Sequence, residues 1–400
     1  MVATARRTIV GLVLTLVLGT LIGWWLSKPA TPDAFYLTPP NLPAKPGTLI
    51  RTERFARAVP QGAIAWRILY TTTGANGAQT VASAIVMTSG ERQDAPRPIV
   101  AWAHGTTGIA PGCAPSVLAD PFQNVPAVDQ LIHEKWIYVA TDYVGLGTSG
   151  GHAYLVGEDA ARAVLDSVRA ARHINGLNAA AQTVVWGHSQ GGHSALWTGI
   201  RAPTYAPDVN VAGVAALAPA SDLPALFTEG KSSTFGKIVS AYLTTAYAKA
   251  IPGIDMPSYV SPGTQVLVDD IAARCAAGAA ALFSVAETLL LPRDGIFMRP
   301  PAEGPLGAAL RANTPRDLIE APVFIAQGES DNLVFPDIQA AYVVAQCAAG
   351  QSIDYRTYTD EDHISLVAPE SPLTADLVAW TRERFQGAPA PNACPPLHEH

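Results

Sequence analysis

Ser189, Asp331 and His363 are the residues of this 400-residue chain whose types, order and surroundings could carry out covalent chemistry. Ser189 is the centre of Gly187-His188-Ser189-Gln190-Gly191, a G-x-S-x-G sequence that follows the apolar run Thr183–Trp186 and leads into a helix-compatible run, His193–Ile200. Glycines on both sides permit a sharp strand-to-helix turn that leaves the hydroxyl exposed. A serine hydroxyl attacks a carbonyl once a histidine takes its proton, and that histidine needs a carboxylate to fix its tautomer and orientation. Asp331 stands in Gln327-Gly328-Glu329-Ser330-Asp331-Asn332, just past the apolar run Pro322–Ala326, and His363 ends Asp360-Glu361-Asp362-His363, just past Ile353–Thr359. The order nucleophile, acid, base along the chain selects His363. His104, His152, His173, His188 and His193 all precede Asp331, and His398 and His400 fall in a terminal tail. His188 and His193 flank the serine and read as packing or site-shaping groups. Glu329 and Asp354 are rival acids, Asp354 within a strand-like stretch. The plain alternatives are a glycine-rich turn for the serine motif and a solvated loop residue for His363.

An acyl-transfer reaction at Ser189 also needs hydrogen-bond donors for the tetrahedral oxyanion. Trp102-Ala103-His104-Gly105-Thr106-Thr107-Gly108 follows the apolar run Pro98–Ala103, and its H-G turn is where a first donor belongs. The backbone N–H groups of Thr106 and Gln190 form the expected oxyanion hole. A second polar turn, Asp142-Tyr143-Val144-Gly145-Leu146-Gly147, either lines the pocket or braces the serine turn.

These loops need a scaffold that brings them to one edge. The runs Pro98–Ala103, Trp136–Ala140, Thr183–Trp186, Val211–Leu217 and Pro322–Ala326 are short and continuously apolar, as strands buried on both faces are. Helical patterns lie between them: Ala161, Val164, Leu165, Val168 and Ala171 form one stripe within Glu158–His173. The last helix has Ser371 as N-cap, Pro372 first, and Leu373, Leu377 and Trp380 facing inward. Alternating strand and helix predicts an α/β fold, a mostly parallel sheet flanked by helices, with its site beyond the carboxyl ends of the strands. Ala63–Thr72 and Thr80–Thr88, joined through Gly74-Ala75-Asn76-Gly77, read as an antiparallel pair at the sheet edge. Residues 221–314 break the alternation. Ile238–Ile251 and Val266–Leu291 read as helical there, so the stretch is expected to be an inserted cap or lid, with extra helices padding one sheet face as the alternative.

Composition narrows the partners. A formal net charge of −7, with 15% charged residues, offers no basis for binding nucleic acid. Four cysteines lie far apart with no C-x-x-C pair, which argues against a zinc or dithiol redox site. Arg6 and Arg7 precede an uncharged run from Thr8 to Leu26 that ends in Trp24 and Trp25. That order has three readings, a cleaved export signal, an uncleaved membrane anchor and a buried core helix, and the first two lead. A proline-studded stretch follows, from Ser27 to Gly47, and reads as an extended tether.

Together, the A-H-G-T-T-G, D-Y-V-G-L-G, G-H-S-Q-G-G, E-S-D-N and D-E-D-H-I-S sequences resemble the secretory lipase family over most of residues 50–386. The resemblance implies an α/β-hydrolase fold, Ser189, Asp331 and His363 as a catalytic triad, no cofactor, and the insertion as a helical lid over an acyl-binding channel. It also implies the disulfides Cys113 with Cys275 and Cys347 with Cys394; the sequence by itself leaves three connectivities open. The expected organisation is a signal or anchor at 1–27, a tether at 28–48, a core at 49–220 and 315–387, a lid at 221–314 and a tail at 388–400. The expected activity is hydrolysis of small-molecule or lipid esters with apolar acyl groups, on a protein that is secreted or anchored at the outer face of the membrane. Acyl transfer on the same triad and a non-catalytic, membrane-tethered binding protein are the alternatives.

Overall fold

The computed structural model describes residues 23–25, 27–91 and 94–394. All of the run Thr8–Leu26 except Gly23, Trp24 and Trp25 lies outside the described residues, as do His398 and His400. Among the described residues no helix is long and apolar enough to cross a membrane.

Nine strands form one sheet in the order β1-β2-β3-β5-β4-β6-β7-β8-β9. They are β1 (Leu49–Phe55), β2 (Ala63–Thr73), β3 (Gln79–Ser89), β4 (Arg97–Ala103), β5 (Ile137–Val144), β6 (Ala179–His188), β7 (Asn210–Leu217), β8 (Val323–Gly328) and β9 (Ile353–Tyr358). The first four in space are antiparallel neighbours, and every pairing from β5 onward is parallel. The continuously apolar runs supply the interior strands: every residue of β5 and β8 is buried. The antiparallel pair β2–β3 is not the edge expected from sequence. β1 pairs outside β2, and its Arg51, Glu53 and Arg54 mask its strand character while suiting an edge open to water.

Helices cover both faces. One face carries α2 (Gly157–Ala171), α3 (Gln190–Tyr205) and α9 (Pro336–Ala348), whose Val164, Leu196 and Tyr342 enter one core cluster. The other carries α1 (Val128–His133) and α10 (Pro372–Phe385), with Leu131, Leu377 and Trp380 in a second cluster. Ser371 caps α10, its hydroxyl accepting from the Leu373 N–H.

Between β7 and β8 lie α4 (Leu223–Glu229), α5 (Thr234–Ala250), α6 (Gln265–Ala272), α7 (Gly278–Thr288) and α8 (Gly304–Ala312). They gather around a core of their own that includes Tyr242, Tyr247, Val268, Ile271 and Leu306. The apolar stretch Val266–Leu291 is not one helix. It breaks where Cys275 pairs with Gly108 in a β-bridge and is bonded to Cys113. A second disulfide joins Cys347 to Cys394.

The proline-rich stretch also differs from a tether that stands clear of the fold. Phe35 and Tyr36 pack against Leu69 and Val81, the Tyr36 hydroxyl is 2.8 Å from that of Ser116, and the Arg51 guanidinium donates to the Phe35 carbonyl at 2.9 Å. Two adjacent aromatic side chains bury enough surface to hold a segment that prolines keep from forming helix or sheet.

Candidate active site

Four parallel strands end at one edge, and each is followed by a segment that carries candidate chemistry: β4 by His104–Thr106, β6 by Ser189, β8 by Asp331 and β9 by His363. Ser189 has φ 59° and ψ −118°, a left-handed backbone that a serine adopts only when its surroundings impose it. Here they do. The Ser189 N–H donates to the Leu217 carbonyl at 2.9 Å, and the Ser189 carbonyl accepts from His193 and Ala220. A side chain on Gly187 would collide with the Gly191 carbonyl, and one on Gly191 with the Ala103 carbonyl, so both positions require glycine.

Asp331 and His363 meet. The His363 Nδ1 lies 2.7 Å from the Asp331 Oδ2, and both side chains are buried. Asp331 Oδ1 accepts from the N–H groups of Leu333 (2.8 Å) and Val334 (2.9 Å), which fixes the carboxylate. A carboxylate only accepts, so Nδ1 carries the hydrogen and Nε2 is left as the basic nitrogen. The rival acids are engaged elsewhere. Glu329 accepts from the hydroxyls of Thr357 and Thr359, and Asp354 pairs with Arg356.

Ser189 and His363 border the same two cavities, with no hydrogen bond between their side chains among the described residues. One cavity, of about 350 Å³, is bordered by Gly105, Thr106, Asp120, Gln123, Asn124 and His188. The other, of about 50 Å³, is mainly apolar: Leu155, Leu226, Phe227, Phe235, Val239 and Val334 line it beneath α4 and α5. Thr106 borders both, and Gln190 the smaller. The N–H groups of Thr106 and Gln190 are engaged by no other group among the described residues. Gln190 is the first residue of α3, where a helix leaves its amide hydrogens unsatisfied. The smaller cavity is therefore bordered by Ser189, His363, Thr106 and Gln190 together, with the imidazole held by Asp331 and two N–H groups left open.

The other histidines near Ser189 are structural neighbours rather than bases. His188 donates from Nε2 to the His363 carbonyl at 2.8 Å with the two rings 4.6 Å apart, and burial, then the charge of His363, pushes its pKa well down. His193 donates from Nε2 to the Asn313 carbonyl at 2.7 Å, and burial lowers its pKa to about 4. His104 is likewise lowered to about 4 by burial. Sequence reasoning missed Tyr154, whose hydroxyl lies 2.8 Å from that of Thr106, and the contact of His152 with Gln190. The visible signal was a His-x-Tyr pair in the connection that follows the D-Y-V-G-L-G turn. Among the described residues no group of His, Cys, Asp and Glu is arranged to hold a metal ion.

Comparison with known proteins agrees with this architecture. A probable inactive lipase of Mycobacterium tuberculosis is 24% identical, with 89% of this chain and 82% of that protein aligned. Lipase A of Arthroderma benhamiae is also 24% identical, over 92% of this chain and 82% of its own length. The crystal structure of Candida antarctica lipase A superposes with a TM-score of 0.71 at 21% identity, covering 91% of this chain and 88% of that one, so the α/β-hydrolase fold is shared. The secretory lipase family model matches residues 123–393, well over half of the chain, and the chain belongs to that family.

Proposed function

We propose that the protein hydrolyses carboxylic esters with apolar acyl groups through an acyl-enzyme at Ser189. The observation that carries this reading is that His363, held by Asp331 at 2.7 Å, borders the same cavities as a serine on a strained elbow. His363 Nε2 takes the Ser189 proton as Oγ attacks the ester carbonyl, and the Thr106 and Gln190 N–H groups receive the oxyanion. Collapse of the intermediate breaks the bond to the alcohol, which leaves with the proton from His363. Water, deprotonated by His363, then attacks the acyl carbon and releases the acid and Ser189. The serine–histidine hydrogen bond that starts the cycle forms with substrate bound, as such bonds tighten in the Michaelis complex.

The apolar lining beneath α4 and α5 suits the acyl chain, for which the helices must part and widen this cavity, and the larger, more polar one suits the departing alcohol. In this reading the helices between β7 and β8 act as the lid. Export fits the family and the two disulfides, which persist in oxidising compartments. The basic-then-apolar N-terminus is its signal or its anchor. One relative is named a probable inactive lipase; here the nucleophile, base and acid positions are all filled.

Hydrolysis of p-nitrophenyl esters from acetate to palmitate by the whole chain, beside Ser189→Ala, tests the proposal. Turnover that falls by at least about a thousandfold in the variant is expected. A folded wild-type protein inactive at every chain length overturns it.

A further inference from the structure

The D-Y-V-G-L-G turn has no part in the chemistry derived above, yet the connection it opens, residues 145–156 between β5 and α2, reaches both sides of the oxyanion hole. His152 Nδ1 lies 3.1 Å from the Val144 carbonyl, which can only accept, so Nδ1 is protonated. Its Nε2 is then an acceptor, and it receives the side-chain amide of Gln190 at 2.9 Å. Burial, with the neighbouring His104 adding to it, holds the His152 pKa at about 3, so the ring stays neutral and keeps that acceptor. Two residues further on, the Tyr154 hydroxyl lies 2.8 Å from the Thr106 hydroxyl. One short stretch thus grips the side chains of both residues whose N–H groups receive the oxyanion in the proposed reaction.

The grip extends beyond these two contacts. The His152 ring stacks on Tyr143, with centroids 5.6 Å apart and planes 20° from parallel, and the Tyr143 hydroxyl donates to the His104 carbonyl, two residues before Thr106, at 3.1 Å. Gly145 has φ +81° and no room for a side chain against Gly151, so the turn closes on itself. The Gly145 N–H donates to Thr148 Oγ1, and that hydroxyl donates to Val81 on the neighbouring strand. By contrast, His104–Thr107 form no regular secondary structure, and Gln190 is a helix's first residue. Without a common support, the two donors would sit on independent segments, and donors help only where they are pre-aligned.

We infer that the 145–156 connection is a clamp for the oxyanion hole, in which His152 and Tyr154 are positioning residues that set the spacing between the Gln190 and Thr106 amides. The inference rests on the hydrolase reading above. It is tested on the full chain with Tyr154→Phe, Thr106→Val, His152→Phe and His152→Gln, measuring kcat and KM on a p-nitrophenyl ester and the affinity of an alkylboronic acid, which forms a tetrahedral adduct with the serine.

Tyr154→Phe and Thr106→Val should each lower kcat about 10- to 100-fold, since a misplaced donor costs less than a deleted one. KM should stay within about twofold, boronate affinity should fall in step with kcat, and the double variant should be no worse than the poorer single one. His152→Phe should behave alike, while His152→Gln, whose carbonyl can accept from Gln190, recovers most of the loss. If Tyr154→Phe fails to fold, Thr106→Val against Thr106→Ser breaks or keeps the same bond from the other side. Variants that keep kcat and boronate affinity, with or without a lower melting temperature, overturn the clamp, and an inactive Ser189→Ala then leaves the hydrolase reading standing. A folded wild type inactive on every ester overturns both.

Discussion

At the scale of single residues, the proposed reaction depends on which nitrogen of His363 is basic, and the Asp331 contact decides it. Asp331→Asn keeps an oxygen for the Leu333 and Val334 N–H groups but turns an NH₂ toward His363 Nδ1. The imidazole then moves its hydrogen to Nε2, which can no longer take the serine proton. We expect kcat to fall by about 10³–10⁴ with unchanged circular dichroism, a loss of the size known for such amide swaps. A loss under about tenfold would remove Asp331 from the reaction. All three candidate positions were legible because motif, order and position after a strand agreed. The supports were not. His188 gripping the His363 carbonyl, and Tyr154 gripping Thr106, are contacts between residues 175 and 48 positions apart, and no periodicity encodes them.

Elements were legible where burial on two faces writes a continuous apolar run, as in β4 to β8, and where a stripe of period 3.6 marks one buried face, as in α2. They were obscured where tertiary contacts overrode local pattern. β1 is too charged to read as a strand, and Cys275 breaks an apolar stretch that otherwise reads as helix. The start of α2 shows the same thing from inside the fold. Its N-cap, Val156, has no side chain able to cap, and the Gly157 N–H is instead satisfied by Asn313 Oδ1 at 3.0 Å, from the far end of the helical insertion. The Asn313 carbonyl also accepts from His193 and from Trp197 Nε1 on α3, so this residue latches the insertion to two helices of the core. Asn313→Ala spares the carbonyl contacts and removes the cap. It should cost about 1 kcal/mol in urea unfolding with little change in kcat. No loss of stability would show that the long-range cap contributes nothing.

For the whole molecule, stability against pH depends on charges that folding removes from water. Asp159, in the first turn of α2, is buried with Oδ2 unpaired, and burial raises its pKa from 3.8 to about 7 although an Ala75 backbone hydrogen bond and Arg162 pull the other way. The helix N-terminus favours an anion there, but desolvation wins. Between pH 3.8 and about 7 the folded state retains a proton that the unfolded chain has released. The contribution of this group is therefore fully present below pH 3.8 and is lost as pH rises through about 7. The buried histidines act in the opposite sense. His104, His152 and His193, held at about 4, 3 and 4, stay neutral where the unfolded chain binds protons, so their contribution is present above pH 6.5 and falls as acid is added. Wild-type stability sums these slopes, and Asp159→Asn isolates one of them. The amide keeps an acceptor and cannot ionise, so variant and wild type should unfold alike near pH 4. The variant should gain steadily to pH 7 and hold a constant advantage on the order of a few kcal/mol above it. Urea midpoints at pH 5, 6, 7 and 8 measure that gap, and one that does not widen between pH 5 and 7 would mean that Asp159 is already ionised in the folded protein and has found a partner or water for its second oxygen.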